Sequence, residues 1–167
     1  MLMPARIPPH KPVDEEPGPE HRLELCRLAV RDDERFEVSD LEVKREGTSY
    51  TVDTLMELRS QAPDTELVLI VGADVAAGLP HWRQPEQVLS MARLAVAKRR
   101  GTPPAAVEAA LQALRGAERA AFFRMPRIAV SSTMIRRRVQ AREPIRYIVP
   151  DAVIEYIERH HLYRGIN

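Results

Sequence analysis

Hydrophobic positions along this chain follow two rhythms. One is the unbroken run Leu67-Val68-Leu69-Ile70-Val71, bounded by Pro63-Asp64 and Gly72. A short apolar run between turn residues predicts a strand buried on both faces, as in a parallel sheet. Residues 93–97 predict a second such strand, which ends in Lys98-Arg99-Arg100-Gly101. The other rhythm is helical. Residues 20–31 carry Leu23, Cys26 and Val30 at helix spacing, residues 52–61 carry Val52, Leu55, Met56 and Leu58, and residues 103–114 carry Val107, Leu111 and Leu114 and stop near Gly116. Shorter helical pieces are predicted over 75–79 and 85–91, and helices over 132–140 and 151–160. Residues 36–43 alternate and predict a strand. Residues 1–7 read as the tail of a strand that breaks at Pro8-Pro9, and 120–123 and 128–130 as short strands.

Strands that alternate with helices predict an α/β fold with a mostly parallel sheet. No repeat or linker divides the chain, so one domain is expected over 1–167. In open α/β sheets, ligands bind beyond the carboxyl ends of the strands. Polar clusters follow predicted strand ends at residues 6–11, 72–82, 98–101 and 131–136.

The last cluster belongs to the stretch Val130-Ser131-Ser132-Thr133-Met134-Ile135-Arg136. Its hydroxyls and an arginine one turn on converge at a helix N-terminus, where free amides and the positive dipole end favour an anion such as phosphate. The competing reading is that Ser131 or Ser132 only caps the helix.

Composition narrows the classes. A hydrophobic share of 44% and a charged share of 29% are those of an ordinary globular chain. A net charge of +1 with 5% aromatics weighs against nucleic-acid or membrane binding. Cys26 is the only cysteine, so no internal disulfide forms, and its apolar surroundings predict a buried small hydrophobe rather than a nucleophile. No apolar run reaches transmembrane length and residues 1–10 carry no signal pattern, so a cytoplasmic protein is expected.

Gly47-Thr48-Ser49-Tyr50-Thr51-Val52-Asp53-Thr54-Leu55, then Gly72-Ala73-Asp74 with Trp82, then Ser131-Ser132-Thr133-Met134-Ile135-Arg136 stand in a telling order. With Pro8-Pro9-His10-Lys11, Arg146-Tyr147-Ile148-Val149-Pro150 and Leu162-Tyr163, the chain resembles bacterial nicotinate-nucleotide adenylyltransferases from about residue 3 to residue 164. Any one motif is weak; together and in order they are strong. The family's Gly-x-Phe-x-Pro-x-His-x-Gly-His signature stands nowhere in these 167 residues. The expectation is therefore a Rossmann-like, mostly parallel sheet with helices on both faces, whose first βα unit is missing from this chain through a late start assignment or a shortening of the chain rather than a natural loss.

The resemblance implies adenylyl transfer from ATP to nicotinate mononucleotide, with magnesium carried alongside ATP. It implies that Ser131, Ser132, Thr133 and Arg136 bind ATP phosphates, that Arg136 and Lys11 serve catalysis, and that Gly72, Asp74 and Arg99 contact the nucleotide. Tyr50 and Trp82 would sandwich the nicotinate ring, Thr51 would receive its carboxylate, and Asp74 would also contact nicotinate mononucleotide. Each residue has a plainer reading: Lys11 as an exposed loop lysine, Thr51 and Asp74 as helix caps, and Trp82 as partly core. The alternative function is a non-catalytic nucleotide-binding module of the same fold. A homo-oligomer is left open.

Overall fold

The structure is a computed structural model that describes residues 1–9, 17–98, 102–126 and 128–164. The chain divides into two compact units, Tyr50–Arg127 and the pair of segments Met1–Ser49 and Ile128–Asn167.

The Tyr50–Arg127 unit is built on a parallel sheet in the order β1-β2-β3, with β1 at Val68–Gly72, β2 at Arg93–Lys98 and β3 at Ala121–Arg124. The central strand β2 reads as the sequence predicts: Leu94, Val96 and Ala97 are buried. The β1 strand does not. Leu69 and Val71 pack into the core, but Val68 and Ile70 point out, with Ile70 68% exposed. Among the described residues β1 pairs only with β2, so it is an edge strand. A uniformly apolar run hides the period of two that separates a strand's faces, and the expectation of burial on both faces is corrected here.

Two clusters hold helices to this sheet. One joins Leu94 and Val96 to Ala73 and Ala76 of α4 (Ala73–Ala77) and to Val107 and Leu111 of α6 (Pro104–Gln112). The other joins Val52 and Leu55 of α3 (Thr51–Gln61) to Val88 of α5 (Pro85–Met91), with Leu67 and Leu69 against them. Each buried Leu or Val contributes about 1.5–3 kcal/mol. Prolines at the first turns of α5 and α6 fit there because the missing N–H would be unpaired in any case. Gly116 ends the α6 connection at φ +89°, a conformation that side chains resist.

The other unit packs α1 (Pro19–Val30), α7 (Ser132–Gln140) and α8 (Asp151–Arg159) around Ile145, Val153, Ile157 and Leu162. Leu25 and Leu28 of α1 and Ile135 and Val139 of α7 supply the facing side chains. His21 Nδ1 and the Tyr156 hydroxyl, 2.9 Å apart, add a polar link between α1 and α8.

Three predicted strands of this unit are absent. Residues 1–7 make only isolated parallel bridges, Leu2 to Val38 and Ile7 to Thr48, because Pro4 offers no amide for a ladder. Residues 36–43 split at Ser39-Asp40: Ser39 Oγ accepts the Leu41 amide at 3.3 Å, and Leu41–Lys44 coils into the short helix α2. Residues 128–130 form no strand. Among the described residues, no helix is long and apolar enough to cross a membrane.

Candidate functional site

In the unit formed by the two end segments, the site is built on α7. Ser131 sits in extended backbone, φ −139° and ψ 154°, and its Oγ accepts the Met134 amide at 3.1 Å. Its carbonyl accepts the Ile135 amide at 3.0 Å. The capping reading of Ser131 is therefore realised. Helix geometry leaves the amides of Ser132 and Thr133 as the remaining first-turn donors. Ile135 and Val139 are drawn into the core, which turns Ser131, Ser132 and Thr133 to the surface. Arg136 is half-buried and lies four residues from Ser132, on the same helix face. Hydroxyls, two first-turn amides and a positive dipole end thus lie at the exposed start of α7, with Arg136 one turn along, and such a helix start suits an oxyanion. Arg137 is exposed, whereas Arg138 pairs with Glu143 at 3.4 Å and donates to the Pro144 carbonyl.

In the Tyr50–Arg127 unit, the carboxyl ends of the strands gather further candidates. Gly72 closes β1 and precedes α4, whose first turn holds the exposed Asp74. Lys98 ends β2 in register with Arg124, the last residue of β3. Arg124 was not singled out from the sequence, because strand order alone brings it beside Lys98. Tyr50 precedes α3, and Thr51 is that helix's first residue; no side-chain bond caps this helix, so the cap reading of Thr51 is not realised. Trp82 follows the 3-10 turn Leu79–His81 and is half-buried against the cluster of Ala73, Leu79 and Leu94. Its plainer, partly core reading holds.

Tyr50 packs against Val52, Leu55 and Val88, in a different cluster from Trp82. The group over the Tyr50 ring is Arg83, whose guanidinium carbon stands 4.7 Å from the ring centroid. Arg83 is also 3.5 Å from Asp53 of α3. Sequence reasoning passed over Arg83; its position next to Trp82 was the available signal. Lys11 and Arg99 lie outside the described residues.

Two clefts among the described residues, of about 830 and 420 Å³, are lined by none of the candidate residues. The candidates instead form open surface at a helix start and at strand ends. Among the described residues no group of His, Cys, Asp or Glu could cage a metal ion. Cys26 is far from this chemistry in character: burial pushes its thiol pKa up, with Arg22 pulling it partly back.

The cytidylyltransferase-like family matches residues 1–138. A probable nicotinate-nucleotide adenylyltransferase of Roseiflexus sp. (strain RS-1) is 44% identical, over 98% of this chain and 82% of that protein. The chain belongs to the nicotinate-nucleotide adenylyltransferase family. A second relative, a probable nicotinate-nucleotide adenylyltransferase of Synechococcus sp. (strain JA-3-3Ab), is 41% identical over 98% of this chain and 79% of that protein. The family's fold is also seen in a solved structure, Plasmodium falciparum nicotinic acid mononucleotide adenylyltransferase complexed with NaAD. It has a TM-score of 0.74 at 17% identity, over 96% of this chain and 80% of that one. The family is one of nucleotidyltransferases, and the Rossmann-like α/β reading of the sequence agrees with this neighbour.

Proposed function

We propose that this chain transfers the adenylyl group of ATP to nicotinate mononucleotide, as a single nucleotidyltransferase-like domain over 1–167. The phosphate oxygen of nicotinate mononucleotide attacks the α-phosphorus in line. A new P–O–P link forms, the bond to the β-phosphate oxygen breaks, and pyrophosphate leaves, giving deamido-NAD. Such transfer rests on positioning and charge stabilisation rather than on a nucleophilic side chain.

The likeness to named adenylyltransferases over 98% of this chain carries this reading. The start of α7 supports a phosphate role. The Ser132 and Thr133 amides and hydroxyls take ATP phosphate oxygens, Ser131 holds the turn in shape, and Arg136 offsets charge on the departing pyrophosphate. Asp74 and Gly72, at the carboxyl end of β1, take ribose or nearby nucleotide groups. Tyr50 and Trp82 receive the nicotinate ring and Thr51 its carboxylate, with Arg83 as an added cationic partner for that carboxylate. Lys11 and Arg99 are proposed phosphate contacts on the strength of the family likeness. Magnesium bound to ATP offsets phosphate charge. The reaction is placed in the cytoplasm.

Incubating the chain with nicotinate mononucleotide and MgATP tests this. Deamido-NAD and pyrophosphate are expected in equal amounts. Substrate binding with no product would overturn it in favour of the non-catalytic module.

A further inference from the structure

At the opposite end of the sheet from Gly72 and Lys98, a cleft of about 420 Å³ opens in the Tyr50–Arg127 unit. Arg59, Arg93 and Arg119 line it, and Glu66 is the one carboxylate among its lining residues. None of these has a place in the proposed reaction. Three guanidiniums come from three different elements: Arg59 from α3, Arg93 from the first position of β2, and Arg119 from the 3-10 turn Ala117–Arg119.

Two of them are fixed by the backbone. Arg59 Nη1 donates to the carbonyls of Pro63 and Thr65, both at 2.9 Å, and Nη2 donates to Met91 at 2.5 Å. Arg119 Nη2 donates to the Leu89 carbonyl. The Leu89 and Met91 carbonyls belong to the last turn of α5, so these arginines cap that helix end. The negative dipole end of α5 offsets part of this charge but not the whole of two guanidiniums. Among the described residues Arg93 meets only a loose carboxylate, with Nε 3.6 Å from Glu66 Oε1, and Glu66 is 71% exposed. The cleft therefore keeps an excess of positive charge, with two of its three guanidiniums held in place.

We infer that this cleft binds a phosphate-class oxyanion, free or as the phosphate group of a small metabolite, held by Arg59, Arg93 and Arg119. Planar guanidiniums match the paired oxygens of phosphate, and anchored ones lose little entropy on binding. Glu66 opposes the ligand and limits its affinity. The site is independent of the adenylyl-transfer reading, because it lies at the amino ends of β1 and β2.

The test is a titration of the 15N-labelled full chain, reading the amide resonances of Ser90, Met91, Ala92 and Arg93. Inorganic phosphate and ribose 5-phosphate are compared with sodium chloride at matched ionic strength, and citrate serves as the carboxylate control. Saturable shifts at these amides are expected with phosphate. A stronger response to ribose 5-phosphate assigns the metabolite source, and an equal or weaker one assigns the free ion. Arg93→Gln should weaken binding about tenfold, as loss of one charge-assisted hydrogen bond does. Glu66→Gln should tighten it, a gain that a purely structural arginine cluster would not give. Shifts with citrate alone, no saturation with either phosphate, or equal affinity in both variants and the parent would overturn the inference.

Discussion

Ser131 Oγ accepts the Met134 amide at 3.1 Å, so the first serine of the motif is a helix cap. That bond leaves the next two amides facing outward, and the cap and the proposed phosphate cradle are thus two uses of one helix start. Ser131→Ala should cost about 1 kcal/mol of stability, and Ser131→Gly only a few tenths. Urea unfolding of the two variants checks the order. Equal losses would mean that the hydroxyl bond contributes little.

Arg83 stands over Tyr50 and beside Asp53. The contact with the ring contributes about 0.5–1 kcal/mol at an exposed site. If Arg83 also faces the nicotinate carboxylate, Arg83→Ala should raise the KM for nicotinate mononucleotide about tenfold, the cost of one charged hydrogen bond. The KM for ATP should stay nearly unchanged. Initial rates with each substrate varied in turn decide this.

Much of this arrangement was legible in the sequence because its signals are local. Buried strand β2, helix α5 and the Ser131 start of α7 each carry their own pattern: a continuous apolar run, a proline at a first turn, a hydroxyl ahead of a helical face. What was not legible depends on neighbours. The exposed side of Ile70 follows from which strands pair with β1, and Lys98 beside Arg124 follows from strand order. The alternation over 36–43 misled because Ser39 bonds locally to the Leu41 amide and turns the chain into α2. Arg83 escaped because an arginine after a tryptophan has no periodicity to mark it, and only the fold brings it to Tyr50.

Gly116 holds φ at +89°, and a Cβ there would meet Leu89 Cβ at 3.1 Å. Leu89 is fully buried and cannot yield easily. Gly116→Ala should destabilise by about 1–2 kcal/mol, the cost of a left-handed conformation for an L-residue. Thermal unfolding reports this as a lowered Tm, and an unchanged Tm would contradict the turn geometry.

Burial raises the Cys26 thiol above its ordinary range, and burial with Glu24 nearby raises the Tyr156 hydroxyl. In both cases the unfolded chain releases its proton at lower pH than the folded chain. The stability they contribute is therefore full below the unfolded thiol pKa of about 8.5 and is lost as pH rises through the folded value. Urea midpoints should fall on the alkaline side, and Cys26→Ala should flatten the first part of that fall. Cys26 should also react slowly with alkylating agents at neutral pH.

The central claim is that the start of α7 holds ATP phosphates, and calorimetric titration of the parent chain and Arg136→Ala tests it most directly. MgATP and nicotinate mononucleotide are titrated separately into each. The account predicts that MgATP binding weakens at least about tenfold on loss of the guanidinium, while nicotinate mononucleotide binding is unchanged. Equal loss of both ligands, or retention of both, would contradict it.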